Sequence, residues 1–334
     1  MKLTTTHPWG RNDLSGRKNT QRTQKQILSL CLLRSFAAIR LIAAVPPQET
    51  RDMKIAAVQM DVTLGEVDRN LQAIEDRFRE AVSHGARLVV FPECAVSGYC
   101  FESLEEARPF AQAIPGPVTE RVATLCAELD AFAVFGMLEQ DGDRIFNAAV
   151  LAGPSGVIGS YRKTHLPFLG VDQHVTYGDR PFEVHQAGDV NVGMNICYDS
   201  AFPEASRCLT LLGADLIALP TNWPPGAECV AGHVLNTRAM ENAVYFAAAN
   251  RVGEERGFRF IGLSRICAPN GSTLAASEDD SETILYADID PEISRNKRVL
   301  REVGRHAIDR LADRRPDLYG PLTEQHSLER PGGR

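Results

Sequence analysis

From Met53 onward, apolar runs of strand length alternate with amphipathic stretches of helical length. This alternation constrains the fold most strongly, because it is typical of a layered α/β domain. The runs predicted to be strands are residues 54–60, 87–91, 131–138, 145–153, 157–162, 190–196, 216–220, 243–250, 259–268 and 281–289. The stretches predicted to be helices are residues 66–84, 118–129, 203–212 and 231–241.

A turn sequence within residues 139–144 indicates that part of the sheet is antiparallel. Asp141 and Gly142 lie there between two apolar runs, and Asp-Gly in this position is typical of a β-hairpin. The pattern argues against a purely parallel, doubly wound sheet. Glu139 lies in this hairpin and is expected to be exposed.

The two ends of the chain differ from its middle. Residues 1–52 contain nine Lys and Arg against three acids, whereas the whole chain has a net charge of -7. They are expected to form a basic, disordered extension or a mis-started tail, with an organelle-targeting segment as the alternative. One domain is predicted over 53–323, followed by a tail over 324–334. The charged residues 290–323 could cover either the chain's own core or a neighbouring subunit.

The composition also excludes several classes of function. An acidic domain argues against a nucleic-acid partner. No stretch has the eighteen or so apolar residues that a membrane span needs, and the nearest, residues 27–45, is interrupted by Arg34 and Arg40.

The eight cysteines indicate neither a disulfide framework nor a metal site, because they are irregularly spaced and include no CxxC pair. A reducing, cytoplasmic location is therefore expected. Six of the cysteines are expected to be core or near-surface thiols: Cys94, Cys100, Cys126, Cys208, Cys229 and Cys267.

Glu93 follows the strand predicted over 87–91. The carboxyl ends of strands are where α/β folds place their active sites. A glutamate after a strand is usually a solvated loop residue. The apolar residues at 94–96 favour partial burial here, and burial raises the pKa of a carboxyl group toward the range that suits a general base.

Lys163 closes the strand predicted over 157–162, directly after Arg162. A basic pair at a strand end is ordinarily a surface feature. Lys163 gains a chemical use only beside a developing anion, where a fixed positive charge stabilises a tetrahedral intermediate.

Cys197 ends the strand predicted over 190–196, and Pro203 shortly afterwards opens a predicted helix. Most free cysteines are small buried hydrophobic residues. A cysteine near a carboxylate, a lysine and a helix start has surroundings that favour thiolate chemistry. The backbone N–H groups of such a turn are candidates for an oxyanion hole.

Three segments resemble, in order, the signature motifs of the nitrilase (carbon-nitrogen hydrolase) superfamily. They are Phe-Pro-Glu at 91–93, Tyr-Arg-Lys-Thr-His-Leu-Pro at 161–167, and Cys-Tyr-Asp at 197–199 with Phe-Pro-Glu at 202–204. The resemblance covers roughly residues 53–323. It implies a four-layer αββα sandwich with mixed sheets, which associates through its helical layers into homodimers or larger assemblies and needs no cofactor.

The resemblance also implies roles for residues at the motif positions. Glu93 would be the general base, Lys163 the cationic stabiliser and Cys197 the nucleophile. Cys197 would attack a carbonyl carbon and expel ammonia or an amine, after which water activated by Glu93 would release the acid. The backbone N–H of Tyr198 would share the oxyanion with Lys163.

Many amide-cleaving members of the superfamily have a further glutamate after the lysine, which positions substrate and water. The corresponding place here is Val171, with Asp172 one residue away. Either Asp172 substitutes through a local shift, or this chain orders its substrate differently.

The residues after Cys197 favour a small amide or N-carbamoyl compound as the substrate. Tyr198-Asp199 resembles the branch of the superfamily that acts on these compounds, whereas members that act on nitriles usually have Trp-Glu there. Asn222 and Trp223 follow the strand predicted over 216–220 and are expected to bind substrate at the same sheet edge. The alternative for this pair is a turn with a core-packed tryptophan.

Other functions remain open. A nitrilase or an acyltransferase would use the same three residues as the amidase. A Cys-His hydrolase would instead activate Cys197 with His165, His174 or His233, although nothing in the sequence selects one of them. A silent binding protein on the same fold is disfavoured, because all three candidate catalytic residues are present.

Overall fold

The computed structural model describes residues 52–333. The predicted basic extension therefore lies outside the described residues, except for Asp52. Within 52–333, no helix is long and apolar enough to cross a membrane.

The strands form two six-stranded halves of one mixed sheet system. The first half has the order β5-β4-β3-β2-β1-β14 and the second the order β6-β7-β8-β9-β12-β13. The halves join where the end of β1 pairs in parallel with the end of β9. The strands are β1 Met53–Asp61, β2 Leu88–Val90, β3 Phe132–Asp141, β4 Arg144–Gly153, β5 Gly156–Arg162, β6 Val184–Ala187, β7 Val190–Met194, β8 Leu216–Thr221, β9 Tyr245–Val252, β10 Glu254–Glu255, β11 Phe258–Arg259, β12 Arg265–Cys267, β13 Thr273–Ala276, β14 Thr283–Ile289, β15 Arg298–Glu302 and β16 His306–Asp309.

Helices cover the outer faces of both halves. They are α1 Val67–Ser83, α2 Leu104–Ala107, α3 Pro117–Leu129, α4 Pro203–Leu211, α5 Leu235–Asn242 and α6 Pro291–Arg295. Successive residues of a strand point to opposite faces. Ala56 and Val58 of β1 accordingly pack with α1 and α3, whereas Ile55 and Ala57 pack in the cluster that contains the second half. The predicted αββα layering is confirmed.

The predicted hairpin is also confirmed, since Asp141 of β3 pairs with Arg144 of β4 across the turn. The single strand predicted over 259–268 is wrong. The backbone there has positive φ values at Gly262 and Leu263, so the chain turns between β11 and β12. The short strands β6 and β13 and the exposed hairpin β15–β16 are not predicted by the sequence pattern.

Part of the charged segment 290–323 covers the chain's own core. Ser294 and Arg295 of α6 both hydrogen-bond to the buried carboxylate of Asp215. The hairpin that follows is largely exposed. The start of the segment therefore packs on the chain's own domain, whereas the hairpin after it is largely exposed to solvent.

The expectation that Glu139 is exposed is wrong. Its side chain is buried and accepts hydrogen bonds from Arg162 Nε at 2.8 Å and Nη2 at 2.6 Å. The guanidinium of Arg162 also lies 3.8 Å from the ring centroid of Phe146. A charge can be buried in this way because its partner satisfies it.

We predict that Glu139→Ala lowers the free energy of unfolding by about 3 kcal/mol, because it leaves the buried Arg162 guanidinium without its closest carboxylate. Glu128 forms an exposed ion pair with Arg79 and supplies the control. Glu128→Ala should cost less than about 1 kcal/mol. Urea denaturation of both variants measures the difference, and equal losses would contradict the structural role of the buried pair.

Candidate active site

The ends of β2, β5 and β7 place the three sequence-predicted catalytic residues together. Lys163 follows directly after β5, while Glu93 and Cys197 each lie three residues beyond the last residue of their strand. The Glu93 and Lys163 side chains are completely buried, and Cys197 is 8% exposed. These strand ends therefore deliver two opposite charges and a thiol to one enclosed site.

Lys163 lies between two carboxylates. Its Nζ atom is 2.6 Å from Glu93 Oε1 and 2.5 Å from Asp172 Oδ2. Asp172 is in a short 3₁₀ turn, Gly170–Gln173, in which the Val171 side chain points into an apolar cluster. Of these two neighbouring residues, Asp172 is the one that enters the site.

Two further polar residues contact the carboxylates. The Tyr99 hydroxyl donates to Asp172 Oδ2 at 2.8 Å. The Asn147 amide Nδ2 donates to Glu93 Oε1 at 2.7 Å and to Asp172 Oδ1 at 2.9 Å. Sequence reasoning missed both residues. The available signal was that Asn147 interrupts the apolar run 145–153.

The two oxygens of Glu93 differ in their surroundings. Oε1 accepts hydrogen bonds from both Lys163 and Asn147. Oε2 is buried and has no hydrogen-bond partner among the described residues. A buried oxygen that lacks a donor is available to take a proton.

Burial raises the pKa of Glu93 above its ordinary value, and the negative charge of Asp172 raises it further, although Lys163 and Asn147 act in the opposite direction. Burial alone would lower the pKa of Lys163, but Asp172 and Glu93 together hold it well above its ordinary value. Lys163 therefore remains charged across the neutral range, while Glu93 is the carboxylate that burial prepares to accept a proton.

Burial raises the pKa of the Cys197 thiol to about 12, with a further contribution from the Glu93 charge and an opposing one from Lys163. A thiol with this pKa is protonated at neutral pH. Because the thiolate is the nucleophile, Cys197 needs a nearby base in order to react.

The Cys197 backbone forms a tight turn. Its φ angle is 44°, an uncommon value for a residue other than glycine, and it opens a short 3₁₀ helix, Cys197–Ala201. The Ser200 hydroxyl donates to the Cys197 carbonyl at 2.7 Å. The Tyr198 side chain is 42% exposed and makes an edge-on contact with Phe202.

Buried Asp199 ties this turn to the segment that bears Lys163. Its Oδ2 atom accepts hydrogen bonds from the Ile196 backbone at 2.8 Å and from the Tyr161 hydroxyl at 2.9 Å. Its Oδ1 atom accepts hydrogen bonds from the backbone and the ring of His165, at 3.1 and 2.7 Å. Asp199 thus fixes the Cys197 turn relative to the Lys163 segment.

His165, His174 and His233 do not form the pair with Cys197 that a Cys-His hydrolase requires. Within residues 52–333, no hydrogen bond joins Cys197 to His165, His174 or His233. His165 instead bonds to Asp199 and stacks on the Phe202 ring, with centroids 3.8 Å apart.

Asn222 and Trp223 lie beside Cys197 at the end of β8. Both atoms of the Asn222 side-chain amide are buried without a hydrogen-bond partner among the described residues. Trp223 packs in the same apolar cluster as Cys197, and its backbone N–H donates to Asn250 Oδ1 at 2.8 Å. Trp223 is therefore core-packed, whereas the buried Asn222 amide next to Cys197 has no hydrogen-bond partner among the described residues.

Within the described part of the chain, no cluster of three or more His, Cys, Asp or Glu side chains could hold a metal ion. The cysteines described there are all free thiols. The site itself brings together a thiol, a carboxylate with an unpaired oxygen and a buried ammonium, which suit the roles of nucleophile, base and fixed cation.

Comparison with known proteins places the chain in a family. Residues 54–298 match the family model described as carbon-nitrogen hydrolase. The chain belongs to the carbon-nitrogen hydrolase family. It is an enzyme of the nitrilase superfamily that acts on carbon-nitrogen bonds other than peptide bonds.

Relatives whose names denote different activities resemble this carbon-nitrogen hydrolase. It is 40% identical over 268 residues to a protein named nitrilase from Pyrococcus abyssi, covering 80% of this chain and 99% of that one. It is 30% identical over 294 residues to N-carbamoylputrescine amidase from Arabidopsis thaliana, covering 81% and 95% of the two chains.

A solved structure shares the fold. It is a variant of the amidase from Nesterenkonia sp. AN1, with a TM-score of 0.66 and 26% identity, covering 80% of this chain and 95% of that one. In that structure the acetamide moiety of fluoroacetamide is covalently attached to the active-site cysteine.

We predict that Asp199→Asn lowers kcat at least tenfold for any amide that the enzyme hydrolyses, because the neutral amide weakens the link between the Cys197 turn and the Lys163 segment. Asp215→Asn is the matched control, since Asp215 is equally buried but precedes β8 at the opposite end of the strand from the site.

Both substitutions should lower the free energy of unfolding by about 3 kcal/mol. Only Asp199→Asn should change kcat, which is measured on the folded protein at a temperature where both variants are native. A similar loss of kcat in Asp215→Asn would mean that general destabilisation explains the effect.

Proposed function

We propose that this carbon-nitrogen hydrolase cleaves a small amide or N-carbamoyl compound through a thioester on Cys197. Glu93 would act as the general base and Lys163 as the cationic stabiliser. The observation that supports this most directly is the buried Glu93 carboxylate, whose Oε1 is held by Lys163 while Oε2 has no donor among the described residues.

In the first half of the reaction, Glu93 Oε2 takes the proton of the Cys197 thiol, and the sulfur attacks the substrate carbonyl carbon. The Lys163 ammonium and the backbone N–H of Tyr198 stabilise the resulting oxyanion. Protonated Glu93 then gives its proton to the leaving nitrogen, so that ammonia or an amine departs and the acyl group stays on sulfur.

In the second half, Glu93 removes a proton from a water molecule, which attacks the thioester carbon. The carbon–sulfur bond breaks, the acid leaves, and Cys197 recovers its proton from Glu93. One water molecule is consumed in each cycle. The raised pKa of Glu93 suits a group that must both accept and return a proton near neutral pH.

Asp172 takes the place of the family's further glutamate in this proposal, through the one-residue shift. Its Oδ2 accepts hydrogen bonds from Lys163 and Tyr99, and its Oδ1 accepts one from Asn147. Asp172 would therefore act mainly by holding Lys163, which keeps the ammonium oriented toward the oxyanion.

Asn222 would contribute to substrate recognition, because its amide offers both a donor and an acceptor close to Cys197. Trp223 would form an apolar wall of the substrate site behind Asn222, and Tyr198 would contact the substrate at the solvent-exposed side of the site. The Tyr198-Asp199 sequence and the amidase names of the relatives favour amides and carbamoyl compounds. Because one relative is named nitrilase, a small nitrile is the alternative substrate. Acyl transfer to a nucleophile other than water is the alternative reaction, since it would use the same thioester.

We further propose that the protein is cytoplasmic and forms a homodimer or a larger homo-oligomer through one domain over 53–323. It would need no cofactor, and it would bind neither nucleic acid nor a membrane. The free thiols support a reducing location. Leu211 and Leu212 at the end of α4 are 49% and 54% exposed, as is Ile293 of α6 at 55%. These apolar side chains favour association through the helical layer.

Ammonia release from aliphatic amides, N-carbamoyl amines and nitriles tests the proposed activity. We expect release from at least one amide or carbamoyl compound, and none above background from Cys197→Ala. Cys208→Ala removes an exposed thiol of α4 and should keep full activity. Release from nitriles alone would assign the chain to the nitrilase branch, and equal activity in Cys197→Ala would refute the thioester.

The acid limb of the pH profile should report Glu93. Because activity needs the carboxylate, kcat/KM falls as the pH drops through the raised pKa of Glu93. The Asp172 charge raises that pKa, so Asp172→Asn should move the acid limb to lower pH. An acid limb that moves to higher pH would contradict the assignment of Glu93 as the base.

A further inference from the structure

We infer that Asn147 is a positioning residue that keeps the Glu93 base deprotonated, and that the Cys94 thiol fixes the orientation of the Asn147 amide. The inference rests on the proposed function, because it concerns the base of that reaction. Neither residue belongs to the three sequence motifs, and neither touches the substrate in the mechanism above.

Asn147 contacts all three charged residues of the site. It lies within β4, completely buried. Its Nδ2 amino group bridges Glu93 Oε1 at 2.7 Å and Asp172 Oδ1 at 2.9 Å. Its backbone carbonyl accepts a hydrogen bond from the Lys163 backbone N–H at 2.8 Å. One strand residue thus connects both carboxylates with the lysine segment.

The chemistry of the neighbours decides which way the amide faces. Ionised carboxylates only accept hydrogen bonds, so the NH₂ group must point toward Glu93 and Asp172. The Oδ1 atom then faces Cys94, whose Sγ is 3.6 Å away. Burial raises the pKa of Cys94 well above its ordinary value, so the thiol keeps its proton and can donate it to Asn147.

The bridging amide matters because the site holds more negative than positive charge. Two carboxylates share the single Lys163 ammonium, and like charges at close range disfavour joint ionisation. The negative charge of Glu93 also acts on Cys94, Tyr99 and Cys197, each of which has a raised pKa, so these three groups are neutral at neutral pH and add no positive charge. The Asn147 amino group therefore stabilises both anions, while the Tyr99 hydroxyl stabilises Asp172 alone.

Removing this donor should make Glu93 hold its proton to higher pH. We expect Asn147→Ala to move the acid limb of kcat/KM upward by about one pH unit, which lowers kcat/KM about tenfold at a pH below the limb. This shift is opposite in direction to the one expected for Asp172→Asn.

Asn242→Ala is the matched control, because Asn242 is an equally buried asparagine whose amide bonds to a backbone carbonyl of α5 and not to a carboxylate. Its acid limb should stay in place. Cys94→Ala should shift the limb in the same direction as Asn147→Ala but by less, and Cys94→Ser, which keeps a donor, should restore it. An unshifted limb in Asn147→Ala would overturn the inference, as would equal shifts in Cys94→Ala and Cys94→Ser.

A second measurement applies if Asn147→Ala turns over too slowly or if no amide is hydrolysed. Iodoacetamide labels Cys197, and peptide mass spectrometry measures the labelling rate at each pH. This rate depends on the same base, Glu93, but does not require turnover. The labelling limb should also move upward in Asn147→Ala and remain unshifted in Asn242→Ala. A wild-type enzyme that labels with this limb but releases no ammonia would refute the proposed substrate class, whereas an unmoved limb would refute the role of Asn147.

Discussion

The Lys163 ammonium, held between the carboxylates of Glu93 and Asp172, is the interaction on which the site depends. All three groups are completely buried, and an unpaired charge in such a place would be very unfavourable. The ion pairs can form only if the ends of β2 and β5 and the turn after Lys163 meet. The strands position the charged side chains, and the ion pairs between those side chains in turn stabilise this arrangement of the strands.

Polar residues inside the core set the geometry around this lysine. Asp199 holds the nucleophile turn, Asn147 bridges the two carboxylates, and Tyr99 donates to Asp172. A polar network of this kind is stable only when its members are satisfied. The buried Oε2 atom of Glu93, which has no donor among the described residues, is an exception, and the proposed mechanism assigns the proton transfer to it.

Much of the fold could be predicted from the sequence because periodicity and turn chemistry are local. The αββα layers, the four main helices and the β3–β4 hairpin were all predicted. The strand predicted over 259–268 failed because positive φ values at Gly262 and Leu263 reverse the chain there, and the apolar pattern does not show this. The expectation that Glu139 is exposed was wrong because its partner, Arg162, lies on a different strand.

In the candidate site, too, some residues could be predicted from the sequence and others could not. The sequence selects Glu93, Lys163 and Cys197 as candidates because their motifs occur in order along the chain, and the structure brings Glu93 and Lys163 into direct contact. Asn147 and Tyr99 were missed, since a polar residue in an apolar run does not reveal what it faces. Only the tertiary structure shows that both point toward carboxylates.

Trapping the acyl-enzyme tests the central claim most directly. The protein is mixed with an amide that it hydrolyses, quenched in acid during turnover, and examined by intact and peptide mass spectrometry. The account predicts an added mass equal to the acyl group, located on Cys197 and absent from Cys197→Ala. Ammonia release with no adduct, or with the acyl group on another cysteine, would contradict the thioester mechanism.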